Sequence, residues 1–191
     1  MHARSIIVVL TIAFGAALIA SGAAAAGSSE GEKTEMKKME MPFGGKEDVA
    51  FAEALWTAID GYQDWMMQSE IMPGKSPHGM FVRLYYNIVT VEGAPYHVIV
   101  KDNYGGADVT LDMVNAAPAD YLMAVTPMVQ RESGYDAENN DWFYVKFDTM
   151  GKVAMNDMNM ALAGRVAKGM PIGCIACHAT AADGDYLFSN D

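Results

Sequence analysis

The chain has 191 residues, of which 51% are hydrophobic and 19% charged, enough apolar material for one core-forming domain and too much for a disordered chain. Its 24 acidic residues against 13 basic ones leave a formal net charge of −11. That balance excludes nucleic acid as a partner, because neutralising phosphates needs clustered Lys and Arg. The same acidity suits a small neutral substrate or a basic electron acceptor.

Residues 1–26 read as a secretory signal: Arg4 supplies the charged start, Ile6 to Ala20 the apolar run, and Ala24, Ala25 and Ala26 a small-residue cleavage site. The run is short for a membrane span, so the sequence predicts export and a periplasmic location. Residues 27–47 are polar and rich in Lys and Glu, the composition of a flexible leader, and the folded domain is expected over 48–191. Met36, Met39 and Met41 fall in the leader, and Met155, Met158 and Met160 form a second cluster. Thioethers at such spacing suit Cu(I), but among sixteen methionines adaptable packing and composition is the stronger reading.

Within the domain, Phe51, Leu55, Ile59 and Tyr62 recur at helical spacing and predict one amphipathic helix over 48–68. Pro73, Gly74, Pro77 and Gly79 break it, after which the apolar period becomes alternating. Strands are predicted over 80–89, 96–101, 122–131 and 141–148, with Pro127 marking an edge or a bulge in the third. Residues 156–168 are expected to be helical and to lead through Pro171 into a C-terminal helix. The fold class is therefore α+β: a predominantly antiparallel sheet with an N-terminal helix and a C-terminal helix. Four alternating segments are incompatible with a four-helix bundle.

That last helix carries Cys174, Ile175, Ala176, Cys177 and His178, the Cys-X-X-Cys-His signature of c-type haem attachment. On a helical turn, cysteines three residues apart point the same way and reach two vinyl groups along one haem edge, and the histidine that follows can ligate the iron. The same spacing occurs in zinc sites and thioredoxin-like centres. Zinc needs two further ligands, but the chain has no other cysteine, and His2, His78 and His97 lack paired ligand spacing. A thioredoxin-like motif opens a helix after an early strand, whereas this one lies near the C-terminus. One covalently attached haem c, held by Cys174, Cys177 and His178 with His178 on the iron, is the cofactor the sequence predicts.

Three further stretches carry a family resemblance: Gly134, Tyr135 and Asp136 with the run Asn140 to Lys146; Gly151, Lys152 and Val153; and the closing Asp185, Tyr186, Leu187 and Phe188. Together with the haem motif, the region from Asp48 to Asn190 resembles the cytochrome P-460 family, which includes the cytochromes c′-beta. The methionine-rich stretch from Met155 to Met160 departs from the family pattern. The resemblance implies a mainly antiparallel β fold, a homodimer, and one haem whose distal face lacks a protein ligand. In the hydroxylamine-oxidising branch a lysine closing a strand is bonded to a haem meso carbon, and Lys101, closing Val98, Ile99 and Val100, matches it. Read without the resemblance, Lys101 is a solvated strand end. Attack by its amine requires loss of a proton, through desolvation or a nearby cation. Arg83, matching an arginine of the family pattern, is the candidate cation and second catalytic residue; otherwise it is a solvated strand residue. His97 shares the sheet face of Lys101 by alternation.

Three functions compete. The first is an enzyme that oxidises hydroxylamine to nitric oxide or nitrous oxide and passes electrons to a redox partner such as another cytochrome. The second is a cytochrome c′-beta-like binder of nitric oxide without turnover. The third is an electron carrier with a methionine such as Met80 completing a His/Met pair.

Overall fold

In a computed structural model of the protein, residues 42–182 and 184–188 are described. The predicted signal and the cluster Met36, Met39 and Met41 lie outside the described residues. Seven strands, β1 (Met72–Pro73), β2 (Phe81–Val91), β3 (Ala94–Tyr104), β4 (Leu122–Val125), β5 (Met128–Gln130), β6 (Trp142–Val145) and β7 (Ala163–Gly164), form one sheet. The order is β1-β2-β3-β5-β6-β7, β4 also pairs with β3, and the paired strands are antiparallel throughout. Helix α1 (Lys46–Ala58) precedes the sheet, α2 (Leu111–Ala116) and α3 (Pro118–Tyr121) lie between β3 and β4, and α4 (Cys174–His178) follows it. The α+β class with a mainly antiparallel sheet is as the sequence predicts. No helix among the described residues is long and apolar enough to cross a membrane.

The two faces of the sheet have different partners. Glu92 and Gly93, at φ 51° and 86°, make a two-residue turn that sets the β2–β3 register, with Arg83 opposite Asp102 and Leu84 opposite Lys101. Alternation then sends Tyr85, Val89, Val98 and Val100 to one face, where they pack with Phe51, Leu55 and Ile59 from α1 and its end. Each of those apolar side chains contributes about 1.5–3 kcal/mol on burial. Lys101, Ile99 and Met128 take the other face, on which Trp142 and Tyr144 meet Ile175 of α4. Strand β6 is thus buried on both sides, which is why Trp142, Phe143, Tyr144 and Val145 read as an unbroken apolar run.

Several expectations are corrected. The first helix ends ten residues before Gln68, because Gly61 turns the chain at φ 69° and a 3-10 turn over Tyr62–Asp64 follows. The strand expected over 122–131 is two strands interrupted at Thr126 and Pro127, both paired to β3. The helix expected over 156–168 is absent. Asn156 accepts from the amides of Met158 and Met160, Asn159 sits at φ 58°, and Ala163–Gly164 pairs with β6 instead. Gly164, at φ 97°, lies so close to Asp48 that an added Cβ would stand 2.4 Å from its carboxyl carbon. Phe43 is already buried at 2% exposure and Gly44 donates to the carbonyl of Ala163, so packing begins inside the stretch read as leader. Met155 and Met158 are exposed while Met160 packs beside Trp142 and Ile175.

Candidate haem site

Helix α4 is a single turn, closed by the Cys177 amide donating to the Gly173 carbonyl at 3.1 Å. Gly173 starts it at φ 144°, and a Cβ there would lie 2.1 Å from Cβ of Ala167, so only glycine permits this entry. Buried Ile175 anchors the turn under the sheet. Cys174 and Cys177 are both free thiols, and burial raises the Cys174 thiol to about 11.

His178 is 5% exposed and its Nδ1 donates to the carbonyl of Tyr186 at 2.7 Å. A carbonyl only accepts, so Nδ1 carries the proton and Nε2 presents its lone pair, as a histidine ligand requires. The tail that supplies this carbonyl is clamped by the loop before β6. Asn140 donates to the Gly184 carbonyl at 2.8 Å, Trp142 Nε1 to the Asp185 carbonyl at 3.0 Å, and the Tyr186 hydroxyl to the Glu138 carbonyl at 3.1 Å. Buried Asp136 holds the loop through Asn139 Nδ2 at 2.8 Å and through Lys168. The loop and tail residues that carried the resemblance therefore form one unit, whose output is the orientation of His178. Tyr144, with ring centroid 5.3 Å from that of His178 and a buried hydroxyl without a hydrogen-bond partner among the described residues, completes this side.

Lys101 faces the same space. Burial lowers its amine to about 8, offset in part by the charges of Cys174 and Cys177, and its own charge acts on His178. His97 is on the same face as alternation predicts, but exposed, and lines a groove of about 910 Å³ with Tyr86, Ile88, Ile99 and Leu187. Neither cysteine nor His178 lines that groove, so the chemistry lies beside it. Arg83 is not brought to Lys101. Its register with Asp102 places it on the α1 face, where it acts on the Tyr85 phenol. Desolvation, the alternative route to a neutral amine, is what lowers Lys101 here.

Sequence reasoning missed His78. It belongs to the loop between β1 and β2, is pinned by Nδ1 to Oδ1 of Asn103 at 3.0 Å, and has its ring centroid 6.1 Å from that of His178. Burial, then the charges of Lys101 and His178, lowers its imidazole to about 3, so it is neutral. No periodicity positions a loop residue, and the only signal was the scarcity of histidine, four in the chain. Met80 is half exposed.

The family model for cytochrome P460 matches residues 59–189, spanning the sheet, the loop clamp, Cys174, Cys177, His178 and the tail. The chain belongs to the cytochrome P460 family. No curated protein and no solved structure matches it. Membership in the cytochrome P460 family makes this a haem-binding cytochrome, and the residues present fit the group. Two free thiols stand one helical turn apart, an imidazole offers Nε2, and the partly buried amine of Lys101 is electrostatically coupled to them. Among the described residues no three His, Cys, Asp or Glu side chains gather to chelate a bare ion.

Proposed function

We propose that the protein is an exported monohaem c-type cytochrome that oxidises hydroxylamine to nitrogen oxides and passes the electrons to a redox partner. The observation that carries this reading is Lys101: a partly buried amine whose desolvation lowers it to about 8, on the sheet face opposite α1, with the charges of Cys174 and Cys177 acting on it. An amine so near neutrality is a nucleophile at mildly alkaline pH. Haem held by Cys174, Cys177 and His178 would supply an iron able to bind the nitrogen of hydroxylamine and accept its electrons.

The Cys174 and Cys177 thiols would each add S–H across a vinyl group, holding the porphyrin edge. Nζ of Lys101 would form a third tether. A bond from that Nζ to the porphyrin edge would replace one N–H and one C–H, and the two electrons and two protons released would require an added two-electron oxidant such as a peroxide. Tyr186, through its carbonyl, keeps His178 oriented during turnover. Oxidation of hydroxylamine to nitric oxide releases electrons and protons in equal number, so a route to solvent for protons and an acceptor for electrons are both required. The net charge of −11 suits a basic acceptor, and residues 1–26 support export. The same reading expects a homodimer, for which Met66, Met67 and Ile88 offer apolar surface at 100%, 67% and 56% exposure.

The test is the intact mass and visible spectrum of the purified holoprotein beside Lys101→Ala, followed by hydroxylamine-dependent reduction of a dye. Expected are a hydrogen loss beyond thioether attachment, a red-shifted reduced band lost in Lys101→Ala, and turnover that needs Lys101. A covalent haem that binds nitric oxide without dye reduction would instead establish the gas-binding function.

A further inference from the structure

We propose that Tyr144 and Lys146 are the clamp for a carboxylate of the bound haem, the Tyr144 hydroxyl donating to it and the Lys146 ammonium balancing its charge. The inference rests on haem attachment at Cys174 and Cys177 and is independent of hydroxylamine turnover.

The strand places the two side chains together. Along β6, Phe143 and Val145 pack with the residues of the α1 face, whereas Trp142 and Tyr144 pack with Ile175 of α4. The chain stays paired past Val145, since the Lys146 amide donates to the Leu162 carbonyl at 3.0 Å and the Lys146 carbonyl accepts from the Ala154 amide at 2.8 Å. Alternation therefore puts Lys146 next to Tyr144 on the face that carries the haem motif, about 6.6 Å along the strand. The charge of Lys146 acts on both Cys174 and His78, in agreement with that placement.

Both groups lack a partner. Tyr144 is 3% exposed, and its hydroxyl has no hydrogen-bond partner among the described residues. A phenol sealed from water without an acceptor costs stability, so an orphan of this kind marks a place where a bound group supplies the acceptor. Half-buried Lys146 makes no ion pair among the described residues, where the ion pairs join Arg131 to Glu132 and Lys168 to Asp136 and Glu138. A donor and a cation on one strand face, with no anion between them, are the complement of a carboxylate.

Haem brings that group. With its four ring nitrogens on the iron and its vinyl groups bonded to Cys174 and Cys177, its two carboxylates are the strong hydrogen-bond acceptors it has left. Lys101, the other amine on this face, is spent on the porphyrin edge in the function proposed above, which leaves Lys146 to balance the carboxylate.

The experiment uses the full-length holoprotein, with thioether-bound haem first verified by mass. Resonance Raman spectra give the bending band of the haem carboxylates, and a redox titration at pH 7 gives the midpoint potential. Lys146→Met keeps the length of the side chain and Tyr144→Phe keeps the ring. Both are expected to move the carboxylate band to lower frequency. Lys146→Met is also expected to lower the midpoint, because loss of a nearby cation favours the ferric state, and Lys146→Arg to restore both readings. A band that neither variant moves overturns the assignment, as does a midpoint shift in Lys146→Met without a band shift, which would mark a charge acting from a distance. A wild-type midpoint that moves on adding formate shows a site for a free anion and overturns it too. Absence of hydroxylamine-dependent dye reduction, with the band shifts present, leaves the clamp standing and sinks only the proposed activity. Protein purified without haem overturns both.

Discussion

The backbone carbonyl of Tyr186 and the imidazole of His178 are joined by a 2.7 Å hydrogen bond, so the orientation of the haem-motif histidine depends on a tail that another loop holds in place. The Tyr186 hydroxyl contributes through its bonds to the Glu138 carbonyl and to Asn139 Oδ1 at 3.2 Å. Tyr186→Phe keeps the ring and removes both. Stability should fall by about 1 kcal/mol in urea unfolding, and hydrogen exchange at the tail amides should accelerate.

Gly173 decides whether Cys174 can enter its helical turn. Gly173→Ala forces φ 144° on a residue with a Cβ and drives that Cβ into Ala167. The expected loss is about 2 kcal/mol or more in denaturant unfolding. A reduced yield of covalently loaded protein should accompany it, read by haem content per chain.

On the α1 face, the fully buried carboxylate of Asp102 accepts from the hydroxyls of Tyr62 at 2.5 Å, Tyr104 at 2.9 Å and Tyr85 at 3.2 Å. Asp102→Ala strands three phenols and should cost roughly 3–5 kcal/mol, whereas Asp102→Asn, retaining one acceptor oxygen, should cost about half as much. Equilibrium urea curves of both variants give the comparison.

The haem-free chain should show an alkaline stability profile set by Lys101 and then opposed. The Lys101 amine titrates at about 8 when folded and at 10.5 when unfolded, so above pH 8 the unfolded state binds more protons and stability rises. Cys174 is raised from 9.0 to about 11, so from about pH 9 the folded state holds the extra proton and the rise is cancelled. Above pH 10 the raised phenols of Tyr62, Tyr104 and Tyr144 make stability fall. Urea midpoints between pH 7 and 11 should trace this, and Lys101→Met should abolish the initial rise between pH 8 and 9.

Reading elements from the sequence succeeded where one period ran unopposed. The alternation in Phe81–Val91 and Ala94–Tyr104 is visible because one face of each strand meets α1. It failed at 156–168, where the expected helix gives way to the Asn156 turn and to the pairing of Ala163–Gly164 with β6. It failed again at Arg83. Type and strand were readable, but the face depends on register against β3, and one residue of register sends the side chain to the other side.

The chain's own sequence determined the haem motif, because Cys174, Cys177 and His178 need only a local helical turn to converge, and it determined the alternation that makes a two-faced sheet. Tertiary structure alone decided what surrounds that motif. It partly buried Lys101 and so lowered its amine, separated Arg83 from it, bound the tail to the loop before β6, and carried His78 across one hundred residues of chain to lie beside His178. Burial and long-range register are sums over the whole packed chain, so no local spacing encodes them.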